Sequence, residues 1–421
     1  MQGYEQSDVL VSGIGVISAI GQGKRDFISA LLQGRHRFDV MKRLGRQAPL
    51  ALYEDDIDSE KTTAFLGAEI ESLKIPESIS ERLLRTASFS SKVALATLQE
   101  AWDDANLYEV EQTRIGLVVG GSNFQQRELI LTQEQYHNRR QFLPPNYAMS
   151  FMDSDLCGLC TEAFSIKGFA YTVGGASASG QLAIIHAINA VLTGQVDVCI
   201  ALGALMDLSY WECQGFQSLG TMGSNRFALE PALACRPFDK NRDGFIFGES
   251  CGAVVIQKSD VAKRAGVKPY ARFTGWAIGM DGNRNPNPSL EGEIGVIKKA
   301  LQQTGLNANQ IDYINPHGSG SVIGDEIELK AIAACGLEHA FINTTKSITG
   351  HGLSSAGIVE LIATLLQMEA GSLHPSRNLD DPMKPDFNWV RQNMVSHAIQ
   401  NALNISIGFG GINSAVFLEK F

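Results

Sequence analysis

Short apolar runs of strand length alternate with helical patterns along the chain, and this alternation limits the fold more than any other feature. Asp8–Ile17 (DVLVSGIGVI) reads as a strand leading into a glycine turn. Arg114–Gly120 (RIGLVVG), Asp197–Gly203 (DVCIALG) and Cys251–Gln257 (CGAVVIQ) are continuous apolar runs of the buried-strand type. Thr86–Asn106 places Ala94, Leu95, Leu98, Ala101 and Trp102 on one helical face, and Gln181–Leu192 is an apolar helix. Together they predict an α/β protein with helices covering mostly parallel sheets. A weak repeat adds to this. Ala101–Ser122 and Ala300–Ser319 both read as helix end, polar loop, strand and Gly/Ser turn. The repeat points to two halves of similar topology, residues 1–258 and 259–421, joined near Ser259–Lys268. Polar stretches at Asp55–Lys61 and Gln133–Pro145 read as surface excursions.

Composition narrows the function classes. A chain of 421 residues has ample core for two or three domain-sized units. It carries 45 Asp+Glu against 35 Lys+Arg, a net charge of −10, which argues against nucleic acid as a partner. No apolar run reads as a membrane span of about 18 residues, and the N-terminus lacks a basic-then-apolar signal. Seven scattered cysteines fit a reduced cytoplasm better than a disulfide scaffold.

Several motifs stop short of their chemistry. Asp239, Asn241, Asp243 and Gly244 begin like a calcium loop, but Ser250 stands at the twelfth position, where a bidentate Glu is needed. Cys157 and Cys160 form one CxxC without the second pair a zinc site requires. Gly13 and Gly15 follow a strand, but Ser18 replaces the third glycine of a dinucleotide fingerprint. Gly175-Ala176-Ser177-Ala178-Ser179 is a near miss to a nucleophile elbow. An apparent strand (Phe169–Val173) precedes it and the apolar helix follows, so Ser177 sits at a sharp turn before a helix N-terminus. Free N–H groups there favour developing negative charge.

The second half carries three denser clusters. They are Ile314–Asp325 (INPHGSGSVIGD) with His317, Thr344–Gly357 (TTKSITGHGLSSAG) with Lys346 and His351, and Asn404–Asn413 (NISIGFGGIN). Glu360 follows the second. Gly/Ser-rich loops let backbone approach a ligand closely. Two histidines in such loops, with Ser177, could form one convergent site.

With Val11–Gly21 (VSGIGVISAIG), Arg236–Glu249 (RPFDKNRDGFIFGE), NPHGSGS, TKSITGH and GFGGIN in this order, the chain resembles the β-ketoacyl synthases of fatty acid and polyketide assembly. The resemblance implies a thiolase-like five-layer αβαβα sandwich of two duplicated halves, working as a homodimer. It also implies a Cys-His-His site, in which the cysteine accepts an acyl chain and the histidines assist decarboxylation of a malonyl thioester. His317 and His351 match the two histidines. Lys346 and Glu360 match a supporting buried pair. Phe409 matches the residue whose N–H joins that of the nucleophile in the oxyanion hole. Ser319 and Ser321 keep hydroxyls for the pantetheine arm. Arg82, Arg85, Arg139 and Arg140 align with carrier-contact positions. No metal or bound cofactor is implied, because the phosphopantetheine arm arrives on the acyl carrier protein.

The nucleophile departs from the pattern: Ser177 stands where cysteine is expected. Ile407 and Ile412 also replace a common phenylalanine and threonine. A thiolate forms readily from a group of pKa about 8.5, whereas a serine hydroxyl needs an adjacent base. Acyl loading is therefore disfavoured, while decarboxylation needs only donors to the forming enolate, which both histidines supply. The expected activity is conversion of malonyl-S-carrier to acetyl-S-carrier without condensation. This resembles the decarboxylating ketosynthase-like proteins of bacterial polyketide β-branching cassettes, where the acetyl carrier feeds an HMG-type synthase. Two other readings stay open at this stage: a Ser-dependent acyltransferase or slow condensing enzyme, and a non-catalytic partner of the chain-length-factor kind.

Overall fold

The computed structural model describes residues 8–47, 64–223 and 225–421. The expected surface stretch Asp55–Lys61 lies outside them. In the first half, five strands lie along one sheet, with the two-residue strand Gly21–Gln22 paired to the first off its path: β1 (Val9–Ser18), β2 (Ile115–Gly120), β3 (Phe169–Val173), β4 (Val198–Gly203) and β5 (Ser250–Lys258). In the second half they are β6 (Ala271–Met280), β7 (Tyr313–Asn315), β8 (Phe341–Ile342), β9 (Asn401–Gly408) and β10 (Ile412–Lys420). The order across the sheet is β8-β7-β9-β10-β6-β1-β5-β4-β2-β3. Numbered within its own half, each set runs 3-2-4-5-1. The pairing pattern repeats as well. Strands 1, 5 and 4 are antiparallel neighbours and strands 4, 2 and 3 are parallel in both halves. A short antiparallel contact, Leu10↔Arg272 and Val11↔Ala271, joins the halves.

The sheet is thus mixed rather than mostly parallel. The reason is local. β9 and β10 are joined by the three residues Phe409–Gly411, and so short a loop can only return the chain antiparallel. Gly410 and Gly411 take φ 90° and 80°, values open to glycine at little cost.

Five helices position the site: α1 (Phe89–Asp104), α2 (Ser179–Leu192), α3 (Leu290–Thr304), α4 (Val322–Ala334) and α5 (Ala356–Ala370). Ser88 starts α1 by accepting from Ser91 N at 3.1 Å, and the expected face of Ala94, Leu95, Leu98, Ala101 and Trp102 is buried. α1 covers the outer face of β1 and β5, and α3 covers that of β6 and β10 with α4 beside it. α2 and α5 lie between, each touching strands of both halves. The layers are therefore αβαβα, as expected. The middle layer packs Ile184 and Ile188 of α2 with Ile358 and Ile362 of α5. Each such fully buried side chain contributes about 1.5–3 kcal/mol.

Glycines set how closely the outer helices approach. A Cβ on Gly15 of β1 would lie 2.1 Å from Thr97 O, and one on Gly275 of β6 would lie 2.2 Å from Ala300 O. Both strands also bulge there, between Val11 and Gly13 and between Phe273 and Gly275. The Gly13/Gly15 pair thus serves helix packing, not phosphate binding, and the same device recurs in the second half.

One expectation needs correcting. Leu353–Ala370 is an apolar helical stretch of 18 residues, long enough to cross a membrane, yet it is 89% buried, between the two halves of the sheet. Apolarity on all sides marks the central layer of a sandwich as well as a span.

Candidate active site

Two short turns build the floor of the site. Ala176–Ala178 leads into α2 and Leu353–Ser355 leads into α5. Each begins in the left-handed region on a residue other than glycine, Ala176 at φ 47° and Leu353 at φ 53°. Such strain costs on the order of 1–3 kcal/mol and persists only where packing imposes it. Here the packing is tight. A Cβ on Gly180 would lie 3.0 Å from Ser354 O, and one on Gly408 would lie 2.2 Å from Gly175 O. The duplication thereby brings the N-termini of both central helices, with their free N–H groups, to one place.

A cavity of 380 Å³ opens there, and Ser177, His317, Ser319, Ser321, His351 and Phe409 all line it. Lys346 and Glu360 lie behind its wall, both buried. His317 follows β7, and its N–H donates to Glu328 Oε1 at 2.5 Å while Gly318 N donates to Glu328 Oε2 at 2.8 Å. The His317 carbonyl accepts from Lys346 Nζ, which also donates to Glu360 Oε1. The two histidine rings stand edge to face with centroids 5.3 Å apart. Leu353 N donates to His351 Nδ1 at 3.0 Å, so the neutral ring carries its proton on Nε2. His317 Nδ1 is buried without a partner.

Burial holds both rings well below the usual histidine pKa. The Lys346 ammonium adds to it for each, and His351 adds further to His317. Both are therefore neutral imidazoles at physiological pH. Burial also pushes the Glu360 carboxyl up to about 7, against the pull of Lys346.

The β9–β10 hairpin supplies Phe409, held against the Ser177 turn by the close approach at Gly408. Its ring is partly exposed and lies 6.5 Å from that of Phe216. Ser319 Oγ accepts from Ser321 N at 3.2 Å, and Ser321 Oγ caps α4 by accepting from Gly324 N at 2.9 Å. Each hydroxyl keeps its O–H to donate into the cavity. The four arginines do not line it. Arg82 pairs with Glu162 on the surface, and Arg85 is exposed at the end of the short helix Glu81–Leu84. Arg139 lies over the Tyr136 ring at 5.0 Å, and Arg140 Nε donates to His137 O at 3.2 Å.

The failed motifs are structural. Asp239 is fully buried and accepts the N–H groups of Asn241, Asp380 and Asp381, each at 2.8–2.9 Å. Cys157 and Cys160 are buried on one helix, and desolvation pushes the Cys157 thiol up to about 12. The sequence reading missed Asp281, Asp325 and Glu328, which also line the cavity. The only signal for the last two was the acidic pair three apart after HGSGS, which reads equally well as a solvated helix face, and Asp281 had none.

Comparison with known proteins agrees with this geometry. The model of the β-ketoacyl synthase N-terminal domain matches residues 6–262, and that of the C-terminal domain matches residues 270–380. The polyketide biosynthesis malonyl-ACP decarboxylase PksF of Bacillus subtilis is 61% identical over 413 residues, covering 98% of this chain and 96% of that protein. The 3-oxoacyl-[acyl-carrier-protein] synthase 1 of Haemophilus influenzae is 29% identical, covering 98% of each. A β-ketoacyl synthase from Burkholderia phymatum superimposes with a TM-score of 0.86 at 25% identity, covering 99% of this chain and all of that one. A duplicated sandwich, paired helix N-termini facing two neutral histidines, and these matches lead to one assignment: the chain belongs to the β-ketoacyl synthase family.

Proposed function

We propose that this chain converts malonyl-S-acyl carrier protein to acetyl-S-acyl carrier protein and CO2, without condensation. The observation that carries the reading is the pair of neutral, buried histidines kept beside a serine where a condensing enzyme needs a thiol. The relative at 61% identity is itself named a malonyl-ACP decarboxylase.

The chemistry follows from the site. The phosphopantetheine arm enters past Ser319 and Ser321 and places the malonyl thioester between the histidines and the Ser177 turn. The bond between the carboxylate and the CH2 breaks, CO2 leaves, and its electron pair becomes an enolate. His351 Nε2–H and His317 face the thioester oxygen. A neutral imidazole donates to a forming oxyanion without burying a cation, the pattern also used by triosephosphate isomerase. Each well-placed donor contributes about 10²–10³ in rate. Lys346 and Glu360 fix the His317 loop through its carbonyl. One proton, taken up from solvent, then adds to the carbon and gives acetyl. Neither Nδ1 is set up as a base for Ser177, since that of His351 is taken by Leu353 and that of His317 has no partner.

We assign carrier contact to Arg82, Arg85, Arg139 and Arg140, surface cations that would meet an acidic carrier despite the net charge of −10. We take the acetyl carrier to serve an HMG-type synthase of a β-branching cassette, a reading supported by the polyketide designation of the relative. A homodimer through β3 and a cytoplasmic location belong to the same reading, and the seven free, buried cysteines support the latter.

Malonyl-loaded carrier, followed by intact mass, tests the reading. Loss of CO2 from the carrier with no adduct on Ser177 is expected. His317→Ala and His351→Ala should each lower CO2 release by 10²-fold or more. Full activity in both variants, or a stable acyl adduct on Ser177, would overturn it. Arg139→Glu with Arg140→Glu should raise KM for the carrier and leave kcat unchanged.

A further inference from the structure

Beside the hairpin that carries Phe409 lies a group of buried oxygens with no hydrogen-bond donor. Glu293, on the inward face of α3, is fully buried, and neither of its carboxylate oxygens has a partner. Asp281 at the end of β6 accepts from Asn413 Nδ2 through Oδ1 at 2.6 Å, but its Oδ2 is buried and unpartnered. The helix approaches closely, because a Cβ on Gly292 would lie 1.9 Å from Asp281 Oδ1. The register β6–β10 pairs Gly279 with Asn413, and Val296 of α3 packs over Gly279. Glu293, one helical turn before Val296, therefore lies towards Asp281 and Asn413.

Asp281 also grips the hairpin. Its N–H donates to Gly411 O at 2.8 Å, and a Cβ on Gly411 would lie 3.0 Å from Asp281 Cβ. What holds Asp281 thus holds Phe409.

A fully buried carboxyl without a donor, set towards a half-buried one whose inner oxygen also lacks a donor, needs a proton or a cation between them. Among the described residues no three His, Cys, Asp or Glu side chains group to hold a metal ion. We propose that the Glu293 carboxyl keeps its proton and donates it as a hydrogen bond to Asp281 Oδ2, and that this bridge positions the Phe409 hairpin for enolate formation. Burial, together with the charges of Glu328 and Asp281, raises the Glu293 carboxyl well above the usual carboxylate range. Burial also pushes the Glu328 carboxyl up, to about 8, against the pull of the two backbone N–H groups that hold its oxygens. The groups facing Glu293 are Asp281 from the end of β6, Asn413 from β10 and Glu328 from α4, and no cation is among them. Glu293 is a positioning residue, and its kinetic test rests on the decarboxylase reading.

The experiment compares Glu293→Gln and Glu293→Ala in the full chain. Gln keeps an N–H donor for Asp281. Hydrogen exchange of the Gly408–Gly411 amides should be at least 10-fold faster in Glu293→Ala and unchanged in Glu293→Gln. With malonyl-loaded carrier, Glu293→Ala should lose at least 10-fold in kcat with KM held within twofold, and Glu293→Gln should stay within threefold. Wild-type kcat should fall on the alkaline side as Glu293 ionises, and Glu293→Gln should lack that limb. Equal hairpin exchange in all three proteins overturns the bridge, as does an alkaline limb unchanged in Glu293→Gln. A rise in Tm with MgCl2 or CaCl2 that the Gln variant abolishes puts a cation in place of the proton and also overturns it. If Glu293→Ala does not fold, the pH comparison with Gln still decides. A wild type that releases no CO2 defeats the decarboxylase reading, and hairpin exchange still judges the bridge.

Discussion

At the scale of single residues, the site turns on protonation states that packing imposes. His317 and His351 lose their affinity for protons chiefly through burial. Because their folded pKa values lie well below 6.5, both stay neutral as pH falls through that value. CO2 release should therefore show no acid limb centred near pH 6.5, and a pH–rate profile checks this. Stability runs the other way. The unfolded chain takes up protons at these positions below about pH 6.5 and the folded chain does not, so each ring costs stability as pH falls. Ser177→Cys should gain a stable thioester on incubation with acyl-loaded carrier, seen as a mass increase on the enzyme. A thiol at a helix N-terminus ionises where a hydroxyl does not. If Ser177→Cys stays unacylated, the missing thiol is not what separates this chain from its condensing relatives. The identity of Ser177, His317 and His351 as candidates was legible from loop motifs. The tautomer of His351 was not, since it depends on Leu353 N, two residues along in a strained turn.

At the scale of elements, the catalytic turn and the Phe409 hairpin act as one piece because glycine lets them touch. Gly408→Ala would push a methyl group to 2.2 Å from Gly175 O. The backbone there has nowhere to go, so the hairpin must move away from Ser177. Overpacking of this kind costs about 1–3 kcal/mol. We expect a lower Tm and a fall in CO2 release of 10-fold or more in a chain that still folds; unchanged activity would mean that the contact does not set the hairpin. Strand and helix positions were largely readable, because β1, β2, β4, β5, α1 and α2 show their periodicity directly. The direction of β5 and β10 was not readable, because strand direction follows from connections and partners rather than from side-chain pattern. The acidic residues Glu293 and Glu328 were invisible for a related reason. A carboxylate on a helix reads as solvated until a neighbouring helix covers it.

At the scale of the whole molecule, duplication explains where the site is. Each half contributes one strained turn and one central helix, and the pseudo-symmetric packing of α2 on α5 brings the two turns together. β3 ends the sheet, with Tyr171 exposed upon it, Phe142 exposed in the preceding excursion and Phe151 exposed just after that excursion. An open edge beside apolar surface is a place for pairing with a second copy. Light scattering at micromolar concentration should give twice 45.6 kDa. A single 45.6 kDa species would refute the homodimer and leave the site chemistry untouched.

The sequence by itself determined the class of fold, the repeat, and the set of residues that could do chemistry. These depend on local periodicity, on glycine-rich loops and on residue identity, all carried along the chain. Only the tertiary structure decided which of them meet, which imidazole nitrogen holds the proton, and which buried carboxyls are left without donors. Those properties arise between segments far apart in sequence, where desolvation and close backbone contact set the energy of each charge.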